Sequence, residues 1–202
     1  MPSSKTLYLA SSNPGKLKEF SAIADGSRSS MKLDLLPGFS DLETFPEDAP
    51  TFAENAVGKA LHACAISSDP VCADDSGIVV PSLNGEPGVH SARYAGPTAT
   101  GAQNIEKLLN ALKGKTGHDR DAYFVCTLAV ARKDKILAVI SNRVAGIILD
   151  SPCGTGGFGY DPVFYFSPLN KTFAELSAAE KNLHSHRGKA FRRLLQVLPG
   201  ML

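Results

Sequence analysis

The 202-residue chain has no tryptophan and four cysteines, and none of its apolar runs approaches the roughly 20 residues that a membrane span needs. No membrane partner is expected. Cys64, Cys72, Cys126 and Cys153 lack CxxC spacing and sit in apolar or glycine-rich surroundings, which argues against both a zinc site and a disulfide framework. Reduced thiols in a cytoplasmic setting are the expectation. Charge of one sign is also scarce: 21 Lys plus Arg against 20 Asp plus Glu gives a net +1, whereas a general nucleic-acid binder carries a basic excess. No nucleic-acid partner is expected, and any positive charge that meets a ligand must be local. The opening residues, Met-Pro-Ser-Ser-Lys, lack the apolar core of a secretion signal, and no repeat or low-complexity tract follows.

What the chain does have is ordinary globular material, 43% hydrophobic and 20% charged, long enough to bury a core as one domain over residues 1–202, with a two-lobed single fold as the variant. Its most unusual stretch is Ala73-Asp74-Asp75-Ser76-Gly77, set between the apolar runs Pro70–Cys72 and Ile78–Val80. This reads as a buried strand interrupted by a bend. Two carboxylates there are costly unless something charged meets them, and a divalent cation is the simplest candidate. Adjacent residues on extended chain point to opposite faces, so one carboxylate aims at a given site while the other orients a neighbour. Asp75 is the better candidate for chemistry, because Ser76-Gly77 beside it lets a ligand approach the backbone. An Asx-turn that bonds nearby amides is the bland alternative.

In chain order, the apolar strand Thr6–Ala10 runs into Ser11-Ser12-Asn13-Pro14-Gly15-Lys16 and then a helix to about Ala24. A strand, a small polar loop and a helix start with a lysine in its first turn form an arrangement that binds phosphate. Its spacing is not that of a P-loop, and a plain N-cap with a solvated lysine would look the same. A strand over 31–36 leads to an acidic stretch containing Glu43, Glu47 and Asp48; Thr51 and Glu54 then form a capping box for a helix that buries Phe52, Ala56, Ala60 and Ala63, with Lys59 off that stripe. Turn signals at Asn84–Gly88 precede Ser91-Ala92-Arg93-Tyr94. Thr100–Gln103 caps a helix whose Ile105, Leu108, Leu109 and Leu112 support the core. Residues 123–132 and 136–149 read as two long strands of a hairpin, which implies a mixed sheet. The glycine-rich Gly154–Pro162 segment offers Phe158 and Tyr160 for stacking on a flat ligand or for plugging the core. Thr172–Glu175 and Ser177–Glu180 are capping boxes, and Ser185 is a good N-cap for a last helix with Phe191, Leu194, Leu195 and Leu198 on one face. His186 and Arg187 fall in its first turn, where cations oppose the dipole unless an anion or ligand edge meets them.

Taken together, SSNPGK, TFAENAVGKA, ADDSG, NGEPGVHSARYAG, GTGGFGYDP and KTFAELSAAEKNLHSHRGKA occur in the order and rough spacing of the non-canonical purine nucleoside triphosphate pyrophosphatases. The chain resembles this inosine triphosphate pyrophosphatase family, its bacterial branch in particular, from about Leu7 to Leu198. The resemblance implies an elongated α/β fold, a long mixed sheet flanked by helices in two lobes with a groove, usually as a homodimer. It also implies Mg²⁺-dependent hydrolysis of ITP, dITP and XTP to monophosphate and pyrophosphate, which clears deaminated purines from the nucleotide pool. By motif position, Ser11, Ser12, Asn13, Pro14, Gly15 and Lys16 would hold the triphosphate, with Lys59, Ser76 and Arg93 adding contacts. Asp75 would activate water and bind metal, with Glu47 as second metal carboxylate. Phe158, Gly159, Tyr160, Asp161, Lys181, Ser185, His186 and Arg187 would form the base pocket, Arg187 and His186 donating to O6.

Such a reaction fits the residue types, since carboxylates face a triphosphate only across a cation, and donors at the 6-position reward an oxygen over an amino group. Two rivals remain. The Maf-type pyrophosphatases share the architecture, but the FGYD and SHRG blocks speak against them. A sensing module that grips triphosphates without turnover would not need the Asp74-Asp75 pair.

Overall fold

The computed structural model describes residues 6–27 and 31–201, so the reading of the first five residues lies outside the described residues. The elements run β1 (Thr6–Leu9), α1 (Pro14–Asp25), β2 (Lys32–Leu35), α2 (Phe52–Cys64), β3 (Val71–Val79), α3 (Gly101–Ala111), β4 (Asp121–Arg132), β5 (Lys135–Ile148), β6 (Phe164–Phe166), β7 (Lys171–Thr172), α4 (Ala178–His184) and α5 (His186–Val197). The strands form one seven-stranded sheet in the order β2-β1-β3-β4-β5-β6-β7. It is mixed: β1 pairs parallel with β2 and β3, while β6 pairs antiparallel with both β5 and β7. Parallel neighbours need a crossover, which α1 and α2 supply; the hairpin of β4 and β5 needs only a tight turn. Lys133 and Asp134 make that turn at φ of 49° and 58°, the left-handed pair that matches strand twist.

One expectation is corrected here. β3 is a single unbroken strand from Val71 to Val79, with no bend at Asp74–Gly77. Ladder bonds use the backbone, so polar side chains need not interrupt a strand when partners meet their charge.

Contacts group the chain into two compact units. The first comprises residues up to Asp75, Cys126–Asn142 and Arg187 onward. Strand alternation divides its core into two clusters. Cys72, Cys126, Leu128 and Val130 pack with Phe20 of α1 and Phe191 and Leu194 of α5, the two phenylalanine rings 4.8 Å apart. Val71, Ala73, Ala129 and Ala131 pack instead with Ala56, Ala60 and Ala63 of α2. The buried stripe of α2 is Asn55, Ala56, Ala60, Ala63 and Cys64, and Phe52 is only half-buried, so the expected stripe is displaced toward a polar residue.

The second unit comprises Ser76–Val125 and Arg143–His186. Ile105 and Leu108 of α3 and its C-cap Leu112 pack there with Phe124, Phe164, Phe166 and Phe173. Both halves of the Thr100–Gln103 capping box form, as do those at Thr172–Glu175 and Ser177–Glu180. Buried Arg120 donates to the carbonyls of Leu112, Ile148 and Leu149, which ties the end of α3 to the end of β5.

Candidate active site

The geometry begins with alternation along β3. Cys72 belongs to the cluster under α1 and α5, and Ala73 to the one under α2, so Asp74 follows the first face and Asp75 the second. Each carboxylate meets what its face offers. Asp74 Oδ2 lies 2.7 Å from Lys16 Nζ of α1. Asp75 Oδ2 accepts from Asn55 Nδ2 of α2 at 3.0 Å.

The two neighbours differ in proton affinity for the same geometric reason. Burial would raise the Asp74 carboxyl, but Lys16, Lys59 and Arg187 outweigh it and hold Asp74 below the usual carboxylate range. For Asp75, burial dominates. It pushes the carboxyl up to about 6 against the lowering by Lys59 and Asn55, and the charge of Glu47 adds to the rise. A buried carboxylate near neutrality suits proton abstraction at physiological pH.

Lys59 links the acidic stretch to the strand, its Nζ lying 2.7 Å from Glu47 Oε1 and donating to the Asp74 carbonyl at 2.9 Å. The approach of that stretch to α2 depends on a glycine. The Phe45 ring rests on Gly58, where a Cβ would collide with it, and lies 5.8 Å from the His62 ring. Glu47 is thus held toward Lys59 rather than left as a solvated loop carboxylate.

The start of α1 is self-capped. Asn13 Oδ1 accepts from the amides of Gly15 and Lys16 at 2.9 and 3.2 Å, and Ser11 Oγ accepts from Asn13 N. Pro14 takes the first helical position, where no amide is needed, and Ser12 is exposed. A phosphate at this helix start would meet Ser11, Ser12 and the Lys16 ammonium, and would compete with Asn13 for two amides.

Arg187, in the first turn of α5, is buried in the first unit, its Nη1 paired with Glu19 Oε2 of α1. Burial lowers its proton affinity, and the carboxylates of Glu19 and Asp74 more than restore it. The anion that the sequence demanded near this cation is therefore one the protein supplies.

In the second unit, Lys181 organises the glycine-rich segment. Its Nζ lies 2.5 Å from Asp161 Oδ2, both side chains are buried, and the same carboxylate oxygen accepts from Phe158 N at 2.7 Å. Gly157, at φ +71°, leaves room for that carboxylate where a Cβ would clash. The Lys181 ammonium also stands 4.6 Å over the Phe158 ring. Tyr160 takes the core-plugging alternative: its ring joins the core cluster, and its hydroxyl donates to Ser91 O at 2.9 Å. Phe158, by contrast, is only half-buried. His186 stacks on Phe124, centroids 4.6 Å apart at 10°, and Ser185 is fully buried as the C-cap of α4. Arg93, Gly159 and Ser76 lie in this unit too; Asn104 holds the loop around Arg93 by accepting from Ala95 N and donating to Ala92 O.

Two of these residues escaped the sequence reading. Asn55 carried a signal, an asparagine amid alanines on the buried side of a helix, where it is a poor helix former without a tertiary partner. Glu19 carried none, because it sits 168 residues from Arg187.

Among the described residues, no group of three or more His, Cys, Asp or Glu could hold a metal ion by itself. Glu47 and Asp75 offer two carboxylates whose charges already interact. That donor set is too small for a dedicated calcium cage. It fits Mg²⁺, which keeps waters and takes substrate phosphate oxygens alongside one or two carboxylates.

A mixed α/β sheet with a neutral-poised buried carboxylate, flanking lysines and a polar helix start defines a phosphate-handling α/β enzyme. The chain belongs to the Ham1 family, whose model matches residues 7–197. It is 45% identical over 197 residues to the dITP/XTP pyrophosphatase of Legionella pneumophila (strain Lens), covering 96% of this chain and 99% of the relative. It is 47% identical over 190 residues to the dITP/XTP pyrophosphatase of Geobacillus kaustophilus, with 94% and 92% covered. The solved structure of a HAM1 protein from Coxiella burnetii superposes with a TM-score of 0.86 at 39% identity, over 97% of this chain and 99% of that one.

Proposed function

We propose that this chain hydrolyses non-canonical purine nucleoside triphosphates, ITP, dITP and XTP, to the monophosphate and pyrophosphate. The observation that carries the reading is Asp75, a buried carboxylate raised to about 6 in a chain so similar to named dITP/XTP pyrophosphatases. Asp75 takes a proton from water as the water oxygen bonds to the α-phosphorus, and the bond from that phosphorus to the leaving pyrophosphate breaks. Lys16, Lys59 and the Ser11–Lys16 segment hold the phosphates; Ser76 and Arg93 add contacts. Mg²⁺ held by Glu47 and Asp75 would supply charge neutralisation for the leaving group. Phe158 stacks on the purine, Asp161 and Lys181 shape the pocket around it, and the Ser185-His186 segment supplies donors to the 6-oxygen. Arg187 keeps Asp74 ionised and in place. The family likeness also supports a cytoplasmic homodimer.

The test is a panel of ITP, dITP, XTP, ATP and GTP with Mg²⁺, with pyrophosphate and orthophosphate measured separately. Pyrophosphate from the three deaminated substrates, with ATP and GTP at least about 100-fold slower in kcat/KM, is the expected result. Orthophosphate as the product, or equal turnover of ATP, overturns the reading.

A further inference from the structure

α2 is an alanine-faced helix with one discordant residue. Asn55 is fully buried beside Ala56, Ala60 and Ala63, in the same helical interior where alanine is preferred over asparagine. Its side-chain amide is nevertheless fully used. Oδ1 accepts from Ala49 N at 3.0 Å, and Nδ2 donates to Ala49 O at 3.3 Å and to Asp75 Oδ2 at 3.0 Å. The partners themselves fix which end is which, because an amide N–H only donates and an ionised carboxylate only accepts.

One turn further along the same helix, Lys59 reaches Glu47 and the Asp74 carbonyl. Residues i and i+4 share a face, so α2 fastens the acidic stretch to β3 twice, once near Ala49 and once at Glu47. The lysine link is ionic and half open to solvent at Glu47, whose side chain is 35% exposed. Only the Asn55 link is buried, directional and bonded to the carboxylate oxygen itself.

We propose that Asn55 is the positioning residue of the reaction: its amide aims Asp75 at the attacking water and fixes the backbone of the loop that carries Glu47. The inference rests on the pyrophosphatase reading above. Its closest counterparts in size or polarity do not replace it. Aspartate would present a like charge to Asp75, serine cannot span both partners, and leucine, similar in size, would leave the Ala49 amide and the Asp75 oxygen without their bonds. A loss of aim acts on the transition state more than on ground-state binding, which the phosphate lysines and the base pocket supply.

The test compares wild type with Asn55→Asp and Asn55→Ser in steady-state ITP turnover, together with Mn²⁺ affinity by electron paramagnetic resonance and thermal midpoints. Each variant is expected to lower kcat by about 10- to 100-fold while KM for ITP stays within about threefold, and the uncharged Asn55→Ser is also expected to weaken Mn²⁺ binding. A residue that merely holds the fold would lower the thermal midpoint and leave kcat of the folded protein intact, which overturns the proposal. For variants that do not fold, the Asn55 side-chain amide resonances of the wild-type chain are compared with those of Asp75→Asn. They are expected to move, and unmoved resonances overturn the proposal. Wild-type turnover with unchanged Asn55→Asp kcat sinks only this inference; a wild-type chain that releases no pyrophosphate from ITP, dITP or XTP sinks the pyrophosphatase reading, and this inference with it.

Discussion

Asp74 and Asp75 are adjacent on β3 yet belong to opposite faces of the sheet, Asp74 bound to Lys16 of α1 and Asp75 to Asn55 of α2. One residue of separation gives them opposite electrostatic fates, a carboxyl held low by three cations and a carboxyl lifted by burial. Their division of labour follows, Asp75 for proton transfer and Asp74 for holding Lys16 and Lys59.

Asp75→Asn should therefore abolish catalysis without unfolding the chain, because an amide of the same shape keeps the packing and loses the base. Pyrophosphate release from ITP should fall by about 100-fold or more. Turnover near the wild-type rate in a folded Asp75→Asn protein would remove Asp75 from the mechanism.

Lys16→Ala should raise KM for ITP and also destabilise the fold, since it deprives buried Asp74 of its closest cation. With Lys59 and Arg187 still near, the expected cost is about 1–3 kcal/mol, read by urea unfolding. Unchanged KM would mean that Lys16 serves only Asp74.

Arg187 and His186 should part company. Arg187→Ala, which releases Glu19 and weakens the field on Asp74, is expected to slow ITP and ATP alike. His186→Phe keeps the stack on Phe124 and loses the ring donors, so the ITP-over-ATP ratio of kcat/KM should drop about tenfold or more. A ratio that collapses with Arg187→Ala and survives His186→Phe would return the 6-oxygen to Arg187.

Alkaline stability follows from two tyrosines. Burial raises Tyr160 well above the usual value of 10.0, and burial together with Glu86 pushes Tyr94 up to about 12. In both cases the folded state retains a proton that the unfolded chain gives up. Their contribution is fully present below pH 10 and is lost as pH rises through the folded values. Tyr160→Phe should flatten the decline of unfolding free energy above pH 10, and an identical slope in the variant would refute this origin.

The sequence by itself determined the class and most of the longer elements, though not the unbroken course of β3 or the short strands β6 and β7. Capping boxes at Thr100, Thr172 and Ser177, the alternating runs of the β4–β5 hairpin and the helix start at Asn13-Pro14 are local signals, because cap bonds and strand period involve neighbours in the chain. Ordered motif blocks pointed to the family that the comparisons establish. Tertiary structure alone decided where the long-range partners lie. Arg187 turns to Glu19 across 168 residues and Tyr160 to Ser91 across 69, distances at which no local pattern records a partner. Period-two alternation required Asp74 and Asp75 to diverge, but only the packing of α1, α5 and α2 determined which carboxylate met cations and which was left buried near neutrality.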